Sequence, residues 1–197
     1  MMSVLGTART FLKPRNYRAF PAGLTGPPQP ATVATVKRPS YMDLALAEAE
    51  REAASGEVPV GAVLVDGETG AVLASAGNAV ETEGDPTAHA EMLVLREAAV
   101  ALGAPRLAGT HLYVTLEPCA MCAAAISLAR VRRLYYGASD PKGGGVEHGA
   151  RVFDQPTCHH RPEVYAGIGE RRAAALLRAF FRDKRAPRRP RRHEGRG

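Results

Sequence analysis

The sequence predicts an α/β fold, with one partly parallel sheet covered by helices. Two observations predict it. Short apolar runs rich in Val, Leu and Tyr alternate along the chain with longer Ala/Leu/Glu-rich stretches that carry helical start and stop signals. The length of 197 residues suits one domain with tails, and nothing approaches the run of about 18 apolar residues that a membrane span needs.

Each element has its own signal. Ser40 and Asp43 form an S-x-x-D cap, and the helix they open runs to about Ser55-Gly56. Val58–Val65 is a valine-rich run of strand length, read as a buried strand. Asp66-Gly67 and Gly70 turn the chain into a second strand, Ala71–Ala76. A helix spans about His89–Leu102 and stops at Gly103. Thr110–Glu117 is a third strand, Cys119–Ala129 a helix and Arg133–Gly137 a fourth strand. A Gly-rich loop covers Asp140–Gly149, the segment to Tyr165 reads as irregular, and a last helix runs from about Gly169 to Arg185.

The net charge of +6 is segregated. Residues 1–38 carry six Lys/Arg and no acid, residues 182–197 carry eight Lys/Arg against two acids, and residues 39–181 carry −6. Basic ends attract polyanions without reading sequence, or are simply solvated. Residues 1–38, rich in Pro, Gly, Thr and Ala, read as a disordered basic extension. They lack the apolar core of a secretory signal. Their excess of Arg/Lys over acids also resembles an organelle transit peptide, beside the plainer readings of an over-long start or a bacterial extension. Residues 39–185 form the expected folded domain, and 186–197 a disordered Arg/Pro-rich tail. Three cysteines, two in a C-x-x-C, suit a reducing compartment and a metal or redox site; the cytoplasm is expected.

Two motifs carry the chemistry: Thr-Ala-His89-Ala-Glu91-Met, and Glu117-Pro-Cys119-Ala-Met-Cys122. Catalytic zinc takes three protein ligands and keeps a fourth position for water. His89, Cys119 and Cys122 supply three. The cysteines sit three apart, on one helical face, just after Pro118 at a helix start where thiolates are favoured. His89 and Glu91 sit two apart, which in mid-helix separates them by about 200°. Both reach one metal only if the motif lies where the helix begins, and Asp85-Pro86-Thr87 upstream suits such a start. Two helix N-termini are therefore expected to converge on one Zn²⁺. Glu91, free of ligation, is the expected proton carrier between water, a ring nitrogen and a leaving amine. A lone C-x-x-C suits a redox pair or a structural zinc, but a structural zinc wants a fourth ligand. Cys158-His159-His160 has no partner cluster nearby in sequence, and His111 and His148 are expected to pack in a strand and lie in a loop.

At these residues the chain resembles the bacterial tRNA-specific adenosine deaminases of the cytidine deaminase-like superfamily. The resemblance spans about residues 41–185. Besides the two motifs it includes Glu57-Val-Pro-Val-Gly-Ala-Val, Gly77-Asn78, Asp85-Pro-Thr, Gly137-Ala-Ser-Asp140-Pro-Lys142 and Phe180-Phe181-Arg182. It implies a three-layer α/β/α fold, with a mixed sheet of about five strands flanked by helices. It implies hydrolytic conversion of adenosine to inosine at the wobble position of a tRNA, with arginine tRNA bearing an ACG anticodon as the expected substrate. Under it, His89, Cys119 and Cys122 hold one Zn²⁺ per subunit and Glu91 moves protons. Asn78 and the Ala90 backbone contact the nucleoside, and Asp140 and Lys142 lie near the anticodon nucleotides. The implied partners are a tRNA anticodon stem-loop and a second copy of the chain, with no membrane. An anticodon loop offers bases already partly unstacked, so extruding one costs little. Phe180-Phe181 beside Arg182, Lys184 and Arg185 suits RNA, although at least one phenylalanine is expected to anchor the last helix. The alternatives are a deaminase of free guanine, cytosine or a nucleoside, which uses the same chemistry, and a non-catalytic RNA-binding subunit, which the presence of Glu91 disfavours.

Overall fold

The computed structural model describes residues 40–185. The expectations for 1–38 and 186–197 lie outside the described residues. In chain order the elements are α1 (Tyr41–Ser55), β1 (Gly61–Asp66), β2 (Val72–Gly77), α2 (Val80–Glu83), α3 (Ala90–Ala101), β3 (Thr110–Leu116), α4 (Ala120–Ala129), β4 (Arg133–Ala138), β5 (Glu163–Tyr165) and α5 (Glu170–Arg185). The sheet has five strands in the order β2-β1-β3-β4-β5. β1 pairs antiparallel with both β2 and β3. β3, β4 and β5 run parallel. The sheet is thus mixed, and α4 is the crossover that parallel pairing of β3 and β4 requires.

Burial on both faces explains the continuous apolar runs. Ala62 and Leu64 of β1 pack with Val94, Leu95 and Ala98 of α3 and Ala123 and Ile126 of α4. Val63 and Val65 point the other way, toward Met42, Ala45 and Leu46 of α1 and Ala173 of α5. Alternate side chains of one strand therefore serve two cores, and the layers are α1/α5, sheet, α3/α4. The capping box at Ser40 and Asp43 starts α1, and Gly56 ends it in the left-handed region at φ 92°. Tyr113, Tyr135 and Tyr165 face each other in register across β3, β4 and β5. Their rings stack at centroid distances of 4.5 and 4.7 Å, a cross-strand ladder on the α1/α5 side.

Three sequence expectations need correction. The first strand starts at Gly61, not Val58. Pro59 has no N–H for a ladder, and the Val60 N–H bonds locally to the Val58 carbonyl. The segment before Tyr165 is not wholly irregular, because Glu163–Tyr165 adds the fifth strand. One helical turn, α2, also stands between Asn78 and Pro86 where no element was expected.

Candidate active site

Two helix starts build the site. His89 is the N-cap of α3, with extended backbone at φ −71° and ψ 148°. Cys119 is the N-cap of α4, also extended, and Cys122 lies in that helix's first turn. Because His89 still has strand-like backbone, it and Glu91 need not diverge as they would in mid-helix. The His89 Nδ1 lies 3.7 Å from Cys119 Sγ and 3.5 Å from Cys122 Sγ. A tetrahedral zinc, with sulfur at about 2.3 Å and nitrogen at about 2.0–2.1 Å, sets such atoms about 3.6 Å apart. The donor set fits zinc in type and in spacing. Among the described residues this is the one His/Cys/Asp/Glu cluster able to hold a metal.

The two sulfurs shift in opposite directions. The hydrogen bond from Cys122, aided by His89, lowers the Cys119 thiol to about 4, against burial that pushes it up. The same bond, together with burial and the Glu91 charge, raises Cys122. The bond to Cys119 raises His89, opposed by burial. Glu91, 4% exposed, is raised chiefly by burial.

These groups open onto a cavity of about 380 Å³, lined by His89, Glu91, Cys119, Asn78, Asp140 and Gly143 among others. That volume lies within the range of about 300–1,000 Å³ typical of small-ligand pockets. Asn78 is buried, and its amide donates to Glu57 Oε2 at 3.1 Å. Ala90 is buried at the first position of α3, whose early N–H groups have no partner within the helix. The Asp140 Oδ1 accepts from the Lys142 and Gly143 N–H groups at 3.0 and 3.1 Å, forming a turn at the cavity rim, while Lys142 is exposed. His89, Glu91, Glu117 and Cys119 of the two motifs thus line one cavity, with Asn78 and Asp140 also in its wall.

Two buried acids were quoted in the sequence but given no role there. Glu57, 1% exposed, takes the Asn78 amide on one oxygen and the Thr82 N–H on the other at 2.6 Å. Glu117, 2% exposed, accepts hydrogen bonds from the loop after β4. Burial alone raises the Glu117 carboxyl, but bonds from His148, Asp140 and Glu147 outweigh it and hold it below the usual range. The signal in sequence was a lone acid beside an apolar run, each time within two residues of a proline. Elsewhere, Cys158 contacts Ser127 Oγ and the His160 carbonyl, and His160 Nε2 meets the Val131 carbonyl at 2.7 Å, so these two are built into loop packing while His159 is exposed. Neither phenylalanine of the Phe180-Phe181 pair reaches the core: Phe180 is half-buried, Phe181 exposed, and the two meet edge to face. The anchor of α5 is instead Ala173, with Ala174 and Leu177.

Residues 36–138 match the cytidine and deoxycytidylate deaminase zinc-binding region. A tRNA-specific adenosine deaminase of Agrobacterium fabrum is 59% identical over 76% of this chain and 97% of its own length. The chain belongs to the tRNA-specific adenosine deaminase family. A solved structure from work on A-to-I editing by tRNA A34 deaminases covers 70% of this deaminase and 98% of its own chain, at 59% identity and a TM-score of 0.68. A guanine deaminase from Nitrosomonas europaea covers 71% of this chain and 82% of its own, at 24% identity and a TM-score of 0.62, and shares the fold. Zinc is the cofactor of this deaminase family member, and its five-stranded sheet with a helical layer on each face is the cytidine deaminase-like fold.

Proposed function

We propose that this protein hydrolytically deaminates adenosine to inosine at the wobble position of tRNA, with arginine tRNA bearing the ACG anticodon as substrate. The observation that carries the reading is the tetrahedral spacing of His89, Cys119 and Cys122 beside a buried Glu91, in a chain 59% identical to a tRNA-specific adenosine deaminase. Zinc held by those three side chains supplies the Lewis acidity that lowers the pKa of water to about 7. Glu91 accepts a proton as the water oxygen bonds to C6 of the base. It delivers that proton to N1, takes the hydroxyl proton in turn, and passes it to the amine as the C6–N6 bond breaks and ammonia leaves. Asn78, held by Glu57, and the Ala90 N–H orient the nucleoside in the cavity. Asp140 and Lys142 lie toward the flanking anticodon nucleotides.

The working unit is a homodimer in the cytoplasm. Leu128 at 76% exposure and Val100 at 84% are large apolar groups on the α3/α4 layer, and Leu128 lines an apolar cleft with Met92, Leu95 and Ala99. A second copy of the chain covers that face. Among the described residues no helix is long and apolar enough to cross a membrane. The test is incubation of the zinc-loaded protein with an arginine tRNA carrying ACG. Inosine at the wobble position is the expected product. Turnover of free guanine or cytosine with no inosine in the tRNA overturns the reading.

A further inference from the structure

The Gly-rich segment after β4 has the composition of a mobile loop, yet Gly144, Gly145 and Val146 are buried. Its anchor is the side chain of Glu117, fully withdrawn from solvent. Oε1 accepts the N–H groups of Val146, Glu147 and His148 at 3.2, 2.9 and 3.0 Å. Oε2 accepts the Asp140 N–H at 3.0 Å and His148 Nδ1 at 2.7 Å. Five donors from one loop therefore converge on one carboxylate. An ionised carboxylate only accepts, whereas the amide of glutamine would turn an NH₂ group toward backbone donors. The loop is also pressed onto the start of α4. Cys119 and Gly144 form an isolated bridge, and the Gly145 N–H bonds to the Pro118 carbonyl at 2.8 Å. A Cβ at Gly144 would lie 2.5 Å from the Glu117 carboxylate, and one at Gly145 would lie 2.5 Å from the Ala120 nitrogen. Packing a strand end needs no charge. The five hydrogen bonds and the close approach of Gly144 and Gly145 tie this side chain to the loop.

We infer that Glu117 is a positioning residue. Its carboxylate pins the Asp140–His148 segment to the start of α4, fixing Asp140 and Lys142 relative to Cys119 and Cys122. This rests on the proposed function, in which that segment meets the anticodon. The clamp makes one wall of the nucleoside cavity and the RNA-facing rim a single rigid piece with the metal centre, so the wobble base is presented at a set depth.

The test uses the full zinc-loaded chain, Glu117→Gln and His148→Ala, with an anticodon stem-loop RNA carrying a wobble adenosine. For Glu117→Gln, KM should rise about tenfold with a smaller fall in kcat, as expected when binding geometry and not chemistry is lost. Zinc content should stay at the unsubstituted level. Hydrogen exchange at Val146, Glu147 and His148 should accelerate in that variant, and His148→Ala should shift KM in the same direction but less. Unchanged kcat/KM in Glu117→Gln overturns the proposal, as does loss of zinc and kcat with those amides still protected. If Glu117→Gln does not fold, the unsubstituted protein decides: fast exchange at those three amides overturns the clamp. Absence of inosine with the unsubstituted protein overturns the functional reading instead, and the exchange measurement still tests the clamp.

Discussion

Glu91 and Glu57 are both buried carboxylates in the wall of one cavity, but their neighbours give them different tasks. Glu57 is occupied on both oxygens, by the Asn78 amide and the Thr82 N–H, and so acts as a bracket. Glu91 sits beside the His89–Cys119–Cys122 cluster, where burial raises it toward the protonated form, which suits the proton carrier proposed above. Glu91→Gln keeps the size and removes the proton acceptor. Its kcat on tRNA should fall by roughly 10²–10⁴-fold, the range for a lost general acid/base, while bound zinc measured by atomic absorption stays unchanged.

At the scale of elements, the start of α1 shows how a local signal is tied into the tertiary fold. Asp43 takes hydrogen bonds from the Ser40 hydroxyl and N–H and pairs with Arg172 of α5, which together lower it from 3.8 to about 2. A depressed carboxyl contributes stability above its unfolded value and loses it as the proton binds in the folded state. The contribution should therefore be complete above about pH 4 and vanish as pH falls through about 2. Asp43→Asn should lower the thermal midpoint at neutral pH, and the gap between variant and parent should close between those two pH values. This cap was legible in sequence because Ser40 and Asp43 are three residues apart. The helix starts at His89 and Cys119 were legible for the same reason: ligand spacing and helix geometry are both local. The strand Glu163–Tyr165 was not, because three residues are too few to show alternation and its partner Arg133–Tyr135 lies 30 residues away. The anchoring of the Gly-rich loop was equally hidden, since Glu117 meets donors 23 to 31 residues distant.

Across the whole molecule the sheet separates two unequal helical layers. The α1/α5 layer closes a core on the sheet face that carries the tyrosine ladder. The α3/α4 layer supplies the proposed metal ligands and also shows large apolar groups to solvent at Val100 and Leu128. One layer thus serves both the chemistry and the proposed subunit contact. Leu128→Glu should shift the protein from dimer to monomer in sedimentation velocity, with the circular dichroism spectrum unchanged, because the side chain is already 76% exposed in the single chain. A variant that stays dimeric would place the contact elsewhere.

The His89–Cys119 pair has a consequence for folding as well. The two ligands are 30 residues apart and cap different helices. An ion gripped by both closes the chain between them into a ring, much as a disulfide would, and a covalent tie of that span is worth about 3–4 kcal/mol through the entropy it removes from the unfolded chain. Chelation should therefore lower the melting temperature, and added Zn²⁺ should restore it in a concentration-dependent way, read by calorimetry. A melting temperature indifferent to chelator would mean that α3 and α4 hold together by side-chain packing alone. On this view the ion is a fastener that adds to the packing of α3 and α4 against the sheet.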